Sequence, residues 1–123
     1  MVQCMQILRD KPEDFTVVSG DDMLTLAQIA CGMQGVISVA ANYLTRELSS
    51  MVQAALADRY EEARKLHYQL MGALELMFRE NNPAGIKAFA HIGGLCENSL
   101  RLPVVPVSDA LFGDIRRWLD QHQ

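Results

Sequence analysis

The chain is predicted to be an α/β protein, mostly helical by content, and three observations carry that prediction. Two short apolar runs rich in β-branched residues, 15–18 (Phe-Thr-Val-Val) and 35–39 (Gly-Val-Ile-Ser-Val), have the character of buried strands. Each is followed at the same edge by a loop of small or polar residues, Ser19-Gly20-Asp21-Asp22 after the first and Ala40-Ala41-Asn42 after the second. Between them lies a single helix-length segment, 23–31, closed by Gly32. Strand, loop, helix, strand, loop, helix is the order of parallel α/β architecture, where ligands collect beyond the carboxyl ends of the strands. Any chemistry is therefore expected at residues 19–22 and 37–42.

The remaining elements follow in chain order. Val2, Met5, Ile7 and Leu8 recur at helical spacing, and Lys11-Pro12 stops that run before a turn at 12–14. Gly20 is expected to permit a backbone conformation other residues resist, and Asp22 to cap the helix that starts at Met23. Beyond Asn42, Leu44, Leu48, Met51, Val52, Ala55 and Leu56 make one apolar stripe. A longer helix from Asp58 presents Ala63, Leu66, Leu70, Leu74, Met77 and Phe78 to a core, with Glu61, Glu62, Arg64 and Lys65 on its wet face. Asn81-Asn82-Pro83 breaks it, a third helix runs over 84–92, and Gly93-Gly94 ends that one. Pro103 and Pro106 hold 101–107 extended, and Ser108 or Asp109 caps a last helix with Leu111, Ile115, Trp118 and Leu119 inward.

Composition narrows the function classes. At 123 residues, half of them apolar, the chain has the size of one ordinary domain. Eleven Lys and Arg against 15 Asp and Glu leave a net charge of −4, which argues against binding a nucleic-acid backbone. No stretch approaches the roughly 18–20 apolar residues of a membrane span, and Met1-Val2-Gln3-Cys4 lacks the plan of a signal peptide. Cys4, Cys31 and Cys96 are an odd, widely spaced set with no metal-binding pattern, and read as reduced apolar fillers in a cytoplasmic protein. No cofactor is expected.

Two parallel strands do not make a stable sheet, because each keeps an edge of unpaired donors and acceptors. The chain therefore reads as part of a larger sheet. The stretches 15–22 (Phe-Thr-Val-Val-Ser-Gly-Asp-Asp) and 35–39 with Ala41-Asn42 resemble the last two barrel strands of the dihydrodipicolinate synthase / N-acetylneuraminate lyase family. The resemblance continues in order through 51–56 (Met-Val-Gln-Ala-Ala-Leu), 63–67 (Ala-Arg-Lys-Leu-His), 82–87 (Asn-Pro-Ala-Gly-Ile-Lys) and 101–106 (Arg-Leu-Pro-Val-Val-Pro). Ser19–Asp22 and Arg101-Leu102-Pro103 are closer to the synthase branch. Thr45 and Gly85 stand where many members have proline, a departure that bears on local turn geometry.

The resemblance implies the C-terminal part of a TIM (β/α)8 barrel followed by a helical bundle, with 1–57 as the last βα units and 58–123 as the bundle. Such a barrel typically takes about 250 residues, so the chain is expected to be a fragment. Family members form a Schiff base between pyruvate and a lysine on the sixth strand, then add the resulting enamine to an aldehyde. The synthase condenses pyruvate with aspartate semialdehyde, towards lysine and diaminopimelate, and assembles as a tetramer. Carried over to this sequence, the Schiff-base lysine lies upstream of Met1, and the chain alone is expected to be an inactive lyase fragment. Lys11 beside a proline turn, Lys65 on a charged face and Lys87 in the tail offer no desolvated pocket to replace it. The family contacts that carry over are substrate-binding: Ile37, whose backbone approaches pyruvate, and Gly20 in the facing loop. No catalytic or metal-binding residue carries over. Partners implied are pyruvate in the intact enzyme and either the missing N-terminal barrel segment or further copies of the chain.

Each feature also has a plainer reading. By composition Ile37 is a core strand residue, and the Asp21-Asp22 pair caps a helix and ties a loop, with no His or Glu nearby to complete a metal shell. His67 and His91 are packing residues with one nitrogen satisfied, and His122 is a frayed end. Arg101 either clamps an anion or bonds carbonyls of the tail. The rival to the lyase reading is a non-catalytic helical interaction or oligomerisation module, joined through exposed sheet edges and methionine-rich helices.

Overall fold

In the computed structural model, which describes residues 1–122, six α-helices and one 3₁₀ turn surround two extended segments. The helices are α1 (Val2–Asp10), α2 (Thr25–Ala30), α3 (Thr45–Leu56), α4 (Tyr60–Phe78), α5 (Ala84–Ile92) and α6 (Asp109–His122), with the 3₁₀ turn at Ala40–Asn42. The segments 15–18 and 35–39 do run parallel, but they meet in a single bridge, Ser19 to Val36, rather than a ladder. Three backbone bonds hold them: Gln34 N–H to Val17 O at 2.9 Å, Ser19 N–H to Gly35 O at 2.8 Å, and Ile37 N–H to Ser19 O at 2.8 Å. The expected strand pair is thus correct in direction but is not a sheet among the described residues. A lone pair without neighbours cannot extend its pairing.

The core lies between α3, α4, α5 and α6. Leu48, Met51, Leu74, Met77, Phe89 and Ile115 are fully buried there. Phe89 meets the edge of Trp118 at 5.9 Å between ring centroids and tilts against Tyr43 at 5.8 Å. One cluster joins residues of α3 to those of α4, α5 and α6, and Met23, Leu26, Val36 and Val39 pack on its margin. The extended segments therefore rest on the helices by one face only. Two residues assigned to buried stripes prove exposed, Leu56 at the end of α3 and Phe78 at the end of α4. Both sit in a last helical turn, where the stripe runs past the elements it covers. None of the cysteines is buried; Cys96 is exposed and the other two are half-buried.

Helix boundaries follow local chemistry. α2 starts at Thr25, two residues later than its apolar pattern predicts, because residues 22–24 form a turn. Asp58 does not open α4 but takes a left-handed conformation (φ 59°) in the tight α3–α4 connection, as aspartate tolerates. Gly94 (φ 75°) ends the run after α5, as expected of paired glycines. Ser108, not Asp109, caps α6: its Oγ accepts the Leu111 N–H at 3.2 Å and donates to Glu80 Oε1. Those bonds pull the Glu80 carboxyl below the usual glutamate range. Arg79 at the end of α4 reaches Asp114 of α6 at 2.7 Å, which Arg117 also pairs. No helix among the described residues is long and apolar enough to cross a membrane.

Candidate functional site

Ser19 is the hinge of the site. Its backbone N–H and C=O both go to the second extended segment, and the same pairing brings Gly20, the next residue, beside Ile37. The two residues singled out by family resemblance therefore share one end of the parallel pair. Ser19 Oγ lies 3.2 Å from Thr25 Oγ1, and Thr25 Oγ1 donates to Asp21 O at 2.8 Å. The Asp21 N–H bonds back to Ser19 Oγ at 3.1 Å. Ser19 and Thr25 are buried, so this small network fixes the loop from within.

The two aspartates exchange the roles expected of them. Asp21 Oδ1 accepts the Leu24 N–H at 3.0 Å and so supports the entry to α2. Asp22, only 3% exposed, turns away from α2. Its Oδ2 accepts the N–H groups of Val39 and Ala40, each at 3.0 Å. The reason is geometric: the 3₁₀ turn begins at Ala40 and leaves orphan donors at its start, and a buried carboxylate facing them forms charge-assisted bonds. Asp22 is a clasp between the two loops through Oδ2, while its Oδ1 is buried without a partner among the described residues. Among the described residues no group of three or more His, Cys, Asp or Glu is placed to hold a metal ion.

Gly20 departs from expectation in an informative way. Its φ lies outside the left-handed region, and a Cβ built on it meets nothing within 4 Å. This chain's own folding therefore places no demand for glycine there. A cavity of about 330 Å³ adjoins it, lined by Asp21, Asp22, Met23, Leu74, Glu75 and Phe78. Ile37 is not a core residue as composition implied; it is 77% exposed. Its N–H is paired to Ser19, while its C=O accepts no hydrogen bond among the described residues.

The lysines lie elsewhere. Lys11 Nζ approaches the neighbouring Pro12 carbonyl at 3.4 Å, and Lys65 pairs with Glu61 at 3.2 Å on the exposed face of α4. Lys87 is half-buried on α5, and none of them lines the cavity at Gly20. Arg101 is exposed, and its side chain bonds no carbonyl and clamps nothing among the described residues. His91 Nδ1 sits 3.0 Å from Cys96 O, the single satisfied nitrogen expected. His67 differs: its Nδ1 is buried without a partner, and desolvation holds the imidazole below the ordinary histidine range. His122 is not frayed but stacks on Trp118 at 4.1 Å. Sequence reasoning missed the Asp22 clasp and the Ser19–Thr25 network. A polar β-branched residue on the inner side of a short helix, three positions after Asp22, was the available signal.

Comparison with known proteins places this geometry in context. Residues 1–122 match the model of the dihydrodipicolinate synthetase family. A 4-hydroxy-tetrahydrodipicolinate synthase of Flavobacterium psychrophilum is 44% identical over 111 residues, 90% of this chain and 38% of that protein. One from Methanosarcina mazei is 49% identical over 98 residues, 80% of this chain and 34% of its own length. The crystal structure of the dihydrodipicolinate synthase of Aquifex aeolicus superimposes with a TM-score of 0.95 at 36% identity, over 98% of this chain and 41% of that one. The chloride-inhibited enzyme of Acinetobacter baumannii, solved with pyruvate, gives 0.91 at 26% identity, covering 97% of this chain and 41% of its own. The chain thus spans about two fifths of the length of the proteins it matches. With the family model matched along its whole described length, the chain belongs to the dihydrodipicolinate synthetase family.

Proposed function

We propose that this chain forms one wall of the pyruvate pocket, and the helical scaffold behind it, in an aldolase-type lyase of the 4-hydroxy-tetrahydrodipicolinate synthase kind. In that reading residues 1–57 supply the last two βα units of a TIM barrel and 58–123 the C-terminal bundle. The enzyme joins pyruvate to aspartate semialdehyde in the cytoplasm, towards lysine and diaminopimelate, as a homo-oligomer. The nucleophilic lysine comes from polypeptide that these 123 residues do not contain. It condenses with the pyruvate ketone, losing water, and the resulting enamine adds to the aldehyde carbon. This chain attacks nothing. Gly20 and Ile37 present backbone to the bound keto acid and shape the space around it.

The observation that carries the reading is Ile37: an apolar residue on an extended segment, exposed, with its amide paired and its carbonyl free. Gly20 supports it, because a glycine that its own chain does not require suits close approach by something outside. That none of the three lysines lines the cavity at Gly20 agrees with a wall rather than a nucleophile.

The test combines the chain with the preceding barrel segment of a relative and follows pyruvate-dependent condensation. Since a Cβ at position 20 is unobstructed, Gly20→Ala is expected to melt like the parent while raising KM for pyruvate on the order of tenfold, the cost of a misfitted substrate. Unchanged KM in a folded, active complex would remove Gly20 from the pocket. A chain that melts cooperatively as a monomer and ignores the added segment would instead favour the interaction-module reading.

A further inference from the structure

A second cleft, sharing no residue with the Gly20–Ile37 edge, lies between α3, α4 and α6 and has a volume of about 510 Å³. We propose that it binds a primary alkylammonium ion, the ammonium at its polar rim and the alkyl chain along its floor. The rim consists of Tyr43, Glu47, Gln69 and His122, and no lysine or arginine lines the cleft. Glu47, in the first turn of α3, forms no ion pair among the described residues. His122 Nδ1 lies 2.7 Å from the Trp118 carbonyl, which can only accept, so the proton of the neutral ring is on Nδ1 and Nε2 is left as an acceptor. The side-chain amide of Gln69 and the Tyr43 hydroxyl also make no hydrogen bond among the described residues. A carboxylate with three further groups able to accept a hydrogen bond matches the three N–H donors of an ammonium, and the carboxylate, with no lysine or arginine in the lining, disfavours an anion.

The floor matches the other end of such a ligand. Leu66, Leu70 and Leu119 line it beside the indole of Trp118. That indole is stacked face to face with His122, at 9° between planes, which holds the imidazole at the rim. An apolar floor of this size accepts a chain of several methylenes.

Trp118 is the only tryptophan of the chain, so its fluorescence reports the cleft directly. The full chain is titrated with n-hexylammonium chloride at constant ionic strength, and in parallel with 1-hexanol. We expect a saturable change with a Kd on the order of 1 mM for the ammonium and binding at least roughly tenfold weaker for the alcohol. Glu47→Gln, at an exposed position that does not touch the core, is expected to weaken hexylammonium binding about tenfold and leave hexanol unchanged. Equal binding of alcohol and ammonium, no saturation, or an unaltered Kd in Glu47→Gln would each overturn the proposal. None of these outcomes bears on the pyruvate reading, which concerns other residues.

Discussion

Asp22 does at the residue scale what a hydrophobic contact cannot, because it joins two loops through main-chain donors that would otherwise be orphaned. Its carboxylate takes two N–H groups at the start of the 3₁₀ turn. Asp22→Ala would leave the buried Ala40 donor and the half-buried Val39 donor unsatisfied and is expected to cost about 2–4 kcal/mol in urea denaturation. Asp22→Asn keeps one acceptor oxygen and should cost less. Equal stability of the alanine variant and the parent would mean that the clasp is incidental. His67 carries a pH signature. Burial lowers its folded-state value, so as pH falls below about 6.5 the unfolded chain takes up the proton first. The stability that a neutral His67 allows is present above that pH and is lost as pH descends towards the lowered folded value. Thermal melts across that window should show the loss, and His67→Leu should flatten it.

Among the elements, α6 is the best specified. Ser108 caps it and is itself held by Glu80 at the end of α4. Ser108→Ala removes the cap and is expected to cost about 1 kcal/mol, measured by urea denaturation, with the loss confined to the α4–α6 contact in hydrogen exchange. The elements also show what could be read from the sequence. α1, α5 and α6 lie where spacing, Pro83, the paired glycines and Ser108 put them, since each is bounded by a residue whose backbone chemistry is local. The late start of α2 and the left-handed Asp58 were not legible, because they depend on which donors face the loop in three dimensions. The same limit explains the site. Gly20 and Ile37 could be named through family resemblance, but the reason they meet is the Ser19 pairing, and the exchange of roles between Asp21 and Asp22 follows from the position of the 3₁₀ turn. Ile37 was misread as core by composition, since an apolar β-branched residue looks the same whether it faces a core or a space that other polypeptide encloses.

Considered as a whole molecule, the chain combines a closed helical core with extended segments that it leaves largely uncovered. The helices enclose Phe89 and its neighbours. By contrast, α1 buries none of its residues, Phe15, Val18 and Ile37 are exposed, and the main-chain N–H groups of Val18 and Val36 find no partner among the described residues. Unpaired main-chain edges and exposed apolar side chains are surfaces suited to pairing with other polypeptide. They fit a chain spanning about two fifths of its relatives' length. The role proposed for the chain is a pocket wall that encloses pyruvate without attacking it. Reductive trapping tests that most directly: the chain, alone and combined with a relative's barrel segment, is incubated with pyruvate and borohydride, and the intact mass of each polypeptide is measured. The account predicts an adduct on the added segment and none on this chain under either condition; a pyruvate-dependent mass increase at Lys11, Lys65 or Lys87 would contradict it.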